Sequence, residues 1–217
     1  MDRVASEKQQ LVIKSPGIRN VLTYRLTPLA ARLTQVVVRL LARTSITPGA
    51  ITWLGFLIAV GAMVLIITEH LFAAGFVVLV AGFFDMLDGA LARHTNQTTR
   101  FGAVLDSVLD RFSESALLIG ILVFFVREMS FTGILLVGVA LIGSFSVSYV
   151  RARAEALGME CEVGFFMRPE RIVVLALGLI LSQIAYALVI ALAIVVVLSF
   201  VSVVQRLVHV WQQTKVK

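Results

Sequence analysis

Four aspartates carry the chemistry that this sequence offers. Asp85, Asp88, Gly89 and Ala92 recur at i, i+3, i+4 and i+7, one face of a helix, and Asp106 and Asp110 at i and i+4 share a face of another. Only the short link between Arg93 and Gly102 separates the two segments, so their helices are expected to run antiparallel and let all four carboxylates converge. Gly89 and Gly102 remove side chains where backbones, or a bulky ligand, come close. The surrounding residues are apolar, and acids in such helices are costly unless something compensates their charge. Hard divalent cations do so, and carboxylates without Cys or His select Mg²⁺, Mn²⁺ or Ca²⁺ over zinc. Four carboxylates suit two ions about 4 Å apart, an arrangement fitted to in-line attack on a phosphoryl group. From the residues alone two other readings stay open: acids neutralised by Arg93 and Arg111, and a proton or cation pathway.

The elements that must hold these acids are membrane helices. Of 217 residues 59% are hydrophobic and 15% charged, with a mean hydropathy of +0.96, which excludes a water-soluble globule and a disordered chain. The net charge of +6 then points to anionic headgroups and phosphorylated substrates, not to nucleic acid. A single cysteine, Cys161, allows no internal disulfide. Apolar runs at 52–68, 71–84, 101–126 and 131–150 each predict a span. The run at 172–204 would be about 50 Å long as one helix, so it is divided near Ser182-Gln183 into two. The expected fold is therefore all-α, with six transmembrane helices in a domain over 47–217. Before it, residues 1–46 form an arm whose arginines alternate with Val21, Leu22, Leu26, Leu29, Leu33, Val36, Val37 and Leu40, the pattern of an interfacial amphipathic helix over 18–41. With the N-terminus cytoplasmic, every Lys and Arg of the 19 except Arg111 and Arg127 falls on an inside segment.

The run Asp85-x2-Asp88-Gly89-x2-Ala92-Arg93-x8-Gly102-x3-Asp106-x3-Asp110 matches, at every fixed position, the signature of the CDP-alcohol phosphotransferase family. The chain resembles that family from Pro48 to about Leu177. The resemblance implies a six-helix homodimer in the cell membrane, with its active site on the cytoplasmic side. Its reaction moves a phosphatidyl-type group from a CDP-linked lipid (CDP-diacylglycerol or an archaeal CDP-lipid) to a hydroxyl and releases CMP. By the same resemblance Asp85, Asp88, Asp106 and Asp110 hold Mg²⁺, two ions being expected and Mn²⁺ an alternative, and Asp110 takes the proton of the attacking hydroxyl. Asp88, Gly89, Arg93 and Thr99 would contact the CDP moiety, with Gly49 and Thr52 at the start of the family's first span.

For the acceptor, Arg151 and Arg153 leave the fourth predicted span and Arg168 and Arg171 precede the fifth. Four guanidiniums near one cytoplasmic mouth suit a phosphate dianion on a phosphorylated polyol. The Arg153-Ala154-Glu155 and Arg168-Pro169-Glu170-Arg171 runs resemble the phosphatidylinositol phosphate synthase branch, whose acceptor is inositol 1-phosphate. The alternatives are phosphatidylglycerol phosphate synthesis from glycerol 3-phosphate and, in another class, cation or proton transport.

Overall fold

Apolar stretches bounded by capping residues become helices, and no strand forms among the described residues. The computed structural model describes residues 28–44 and 46–215, with side chains described at 34–44 and from 46 on. The predicted start of the amphipathic helix, with Val21, Leu22 and Leu26, lies outside them. Seven helices follow in order: α1 Pro28–Leu41, α2 Pro48–Ile67, α3 Leu71–His94, α4 Arg100–Arg127, α5 Phe131–Ala156, α6 Arg168–Ile180 and α7 Ala187–Lys215. Hydroxyl caps set several starts. Thr47, Thr99 and Ser130 accept the amide protons of Ala50, Gly102 and Gly133, and Pro48 occupies the first turn of α2, where no backbone donor is lost.

α2, α3, α5 and α7 are long and apolar enough to cross a membrane. Within each, only 33% of the apolar window is buried in the protein, so most of its greasy surface faces outward, as a lipid-solvated helix requires. α4 is long enough but carries Asp106, Asp110, Arg111 and Glu114, and α6, at 13 residues, is too short to count by itself. The chain does break near Ser182-Gln183. α6 ends at Ile180 and α7 begins at Ala187. With no Gly or Pro available, the turn places Tyr186 in the left-handed region at φ 64°, a conformation that costs about 1–2 kcal/mol for such a residue.

The principal helix contacts close into a ring, in the order α2, α3, α6, α7, α5, α4 and back to α2, with α1 laid outside against α3. α3 and α4 are therefore not principal packing partners although they are joined by the short 95–99 link; α2 packs against both. Ala62, Ile66, Ala74, Val78, Leu117, Leu118, Val137, Leu175 and Leu192 fill the interior. Val38 of α1 meets Ile51, Leu87 and Leu91, which ties the arm to the half of α3 that bears the acids.

α3 and α6 approach closely and run antiparallel, with Gly75 against Ala176 and Ile180, Gly82 against Ile172, and Asp85 against Arg168. A methyl on Gly75 would stand 2.8 Å from the carbonyl oxygen of Ala176, so the two helices would have to separate. Gly75→Ala is expected to destabilise the bundle by about 1–3 kcal/mol, read as a lower unfolding temperature in detergent.

Candidate active site

Asp85 comes from the C-terminal half of α3, and Asp106 and Asp110 come from the first turns of α4. One carboxylate oxygen of each lies within 4.8 Å of the other two, and all three side chains are partly exposed. Three hard oxygen donors at this separation suit a divalent cation. Asp88 stands apart from this group. It is only 4% exposed, its Oδ1 accepts the amide proton of Gly89 at 2.5 Å, and its Oδ2 is buried without a hydrogen-bond partner. The buried hydroxyl of Thr52, on the first turn of α2, faces it. The expected convergence of four acids thus appears as three together and one a turn further along α3. There Asp88 lies beside Thr52 of α2, which packs against both α3 and α4.

α6 adds a cation to the cluster. Its first residue, Arg168, ion-pairs through Nη1 with Asp85 Oδ2 and with Asp110 Oδ1, the latter at 2.7 Å, while its Nε has no hydrogen-bond partner. This geometry depends on the loop before α6. Its amides are held by α7: Phe165 donates to Gln205 Oε1 and Phe166 to Ser202 Oγ, each at 3.1 Å. Arg206, 3% exposed, donates to Val163 O at 2.8 Å and also to Val147 O. Gly164, at φ 141°, turns the backbone beneath that guanidinium; a side chain here would be strained and would meet Arg206 at 3.0 Å.

The remaining predicted residues fall in different places. Arg93 is exposed and folds back over Gly89, where a Cβ would lie 3.3 Å from its Nη1. Thr99 is exposed and caps α4 by accepting the Gly102 amide at 2.9 Å. Gly49 is half-buried, with open space where a side chain would go. Arg151 is paired with Glu155 one turn on at 2.7 Å, and Arg153 is exposed. Arg171 requires a correction. It is 1% exposed and not at the mouth, and Glu114 of α4 holds it in a two-pronged pair at 2.6 and 2.9 Å. Three residues beyond Arg168, it points a full turn deeper, to the level of Glu114, four residues beyond Asp110. Glu114 and Arg206 escaped the sequence reading. The available signal was a single charge in the apolar run of α7 for Arg206 and, for Glu114, an acid one turn beyond Asp110 where the run turns fully apolar.

The family model described as CDP-alcohol phosphatidyltransferase matches residues 45–211. The archaetidylinositol phosphate synthase of Methanothermobacter thermautotrophicus is 38% identical over 175 residues, 80% of this chain and 87% of that protein. The phosphatidylinositol phosphate synthase of Mycobacterium bovis is 38% identical over 188 residues, 83% of this chain and 87% of that protein. Among solved structures, the phosphatidylinositol phosphate synthase of Mycobacterium tuberculosis with CDP-DAG bound superposes with a TM-score of 0.75 at 37% identity, over 83% of this chain and 94% of that one. The same enzyme in complex with manganese and citrate gives 0.73 at 37% identity, over 82% and 88%.

Proposed function

The chain belongs to the CDP-alcohol phosphatidyltransferase family, and on that premise we propose that it makes a phosphatidylinositol phosphate or its archaetidyl counterpart. The acceptor is inositol 1-phosphate and the donor a CDP-linked lipid. An acceptor hydroxyl attacks the lipid-bearing phosphorus, the bond from that phosphorus to the CMP oxygen breaks, and CMP leaves. One observation carries the reading: three carboxylates from two helices, able to hold cations for a diphosphate, meet a guanidinium from a third, which suits an anionic acceptor. The 38% identity to synthases named for inositol phosphate supports the choice of acceptor.

In this reading Asp85, Asp106 and Asp110 hold one Mg²⁺, and Asp88, whose buried Oδ2 lacks a protein donor, helps to hold a second. Bound there, the ions supply charge stabilisation for the diphosphate. The nucleotide lies along Gly89, with Gly49, Thr52 and Thr99 around it, and Arg93 swings off Gly89 to pair with a diphosphate oxygen. Asp110 accepts the hydroxyl proton, and because a carboxylate is a weak base the proton moves late in the transition state. Arg168, with Arg153 and Arg151 nearer the rim, receives the acceptor's phosphate. α4 and the α6 segment complete six spans, the N-terminus and site face the cytoplasm, residues 1–46 lie along the membrane surface, and the enzyme is a homodimer.

CMP release by the purified protein, measured with inositol 1-phosphate, glycerol 3-phosphate and free inositol, tests the proposal. Preference for glycerol 3-phosphate overturns the acceptor, and cation flux in liposomes without CMP overturns the enzyme. Arg168→Ala and Arg153→Ala are each expected to raise KM for inositol 1-phosphate by about 1.5–3 kcal/mol, one charged hydrogen bond, and to leave KM for the CDP-lipid nearly unchanged.

A further inference from the structure

We infer that Glu114 and Arg171 are positioning residues whose buried pair sets where Arg168 stands, and so how the acceptor's phosphate is received; this rests on the reading of Arg168 given above. α4 and α6 lie opposite one another in the helix ring, each packing mainly on other helices. Side chains cross the interior between them on two rungs. Arg168 reaches Asp110 at the mouth, and one turn deeper on both helices Arg171 reaches Glu114. The two rungs share a spacing, three residues along α6 and four along α4, so both belong to one helix–helix register.

The deep rung is unlike an ordinary stabilising contact. Both side chains are withdrawn from solvent, Arg171 at 1% and Glu114 at 2% exposure. They meet through two hydrogen bonds of 2.6 and 2.9 Å, yet Arg171 Nη1 is left buried without a partner. The buried hydroxyl of Ser144 on α5 faces the Glu114 carboxylate, which sets a third helix beside the pair. Taking two charges out of water is costly, and apolar residues of similar volume commonly serve stability as well or better. What an apolar pair cannot supply is a planar two-pronged fit, which fixes both the distance between the helices and the rotation of α6 about its axis. That rotation decides whether the side chain one turn earlier falls between Asp85 and Asp110.

Stability and positioning separate in the variant Glu114→Met/Arg171→Met, which removes both charges together. Its melting temperature in detergent is expected to match or exceed that of the unaltered enzyme. Its KM for inositol 1-phosphate should rise at least about tenfold, with KM for the CDP-lipid within about twofold. Should it not fold, Glu114→Asp keeps the charge but shortens the reach by one methylene, and a several-fold rise in acceptor KM alone is expected. Adding Arg168→Ala to the double variant should raise acceptor KM by no more than about twofold, since the pair acts through Arg168. A well-folded double variant, or in its place Glu114→Asp, with unaltered acceptor KM overturns the proposal. So does a triple variant in which the two effects multiply. If Arg168→Ala alone leaves acceptor KM flat, the reading of Arg168 fails first and this inference falls with it; an effective Arg168→Ala beside a silent pair defeats the pair alone.

Discussion

Asp106→Asn and Asp85→Asn should each lower kcat for CMP release on the order of 10³-fold, and excess chelator should abolish turnover until Mg²⁺ or Mn²⁺ is restored. The size follows from what the substitution removes. Asn keeps the shape of the side chain and loses its charge, so the three-acid cluster within 4.8 Å falls from three formal charges to two. A divalent cation held by hard oxygens depends on that charge count as much as on geometry. The fold should tolerate the change. Asp106 and Asp85 are partly exposed, and in Asp85→Asn Arg168 keeps its pair with Asp110. Unaltered melting with lost Mn²⁺ binding is therefore the companion result. Full activity in excess chelator would end the metal reading, whatever the mutants do.

For Asp110→Asn the expected outcome is a fall in kcat of about 10²–10⁴-fold with CDP-lipid binding retained in part, since proton acceptance is needed only in the transition state. Two of its neighbours make the result informative. Asp110 is paired with Arg168, so the Asn variant also loosens Arg168, and a modest rise in acceptor KM should accompany the loss in kcat. Asp85 and Asp106 remain to bind the cation, so the donor is still held. An unchanged kcat with weakened donor affinity would make Asp110 a binding residue and leave the base to be found elsewhere.

The acids and the helices that bear them could be read from the chain because both signals are local. Apolar runs of membrane length, and aspartates at i, i+3 and i+4, declare a helix and its face without reference to any other segment. The divided run was also legible, since a single helix over 172–204 would overshoot the bilayer. The choice of partners was not. Arg168 and Arg171 look alike in sequence, two arginines entering one helix, yet one stands among the clustered aspartates and the other is sealed against Glu114.

By itself, then, the sequence determined an all-helical membrane protein, the break before α7, and the positions of the acids along α3 and α4. Tertiary structure decided the rest. It closed the six helices into a ring with α4 and α6 opposed, turned Asp88 toward Thr52, brought Arg168 across to Asp85 and Asp110, and buried Arg171 and Arg206. The physical reason is that a charge inside an apolar bundle must find a counter-charge or a carbonyl wherever packing puts one. For these residues the partner lies 36 to 83 positions away, as with Asp88 and Thr52 or Arg168 and Asp85, beyond the reach of any local pattern.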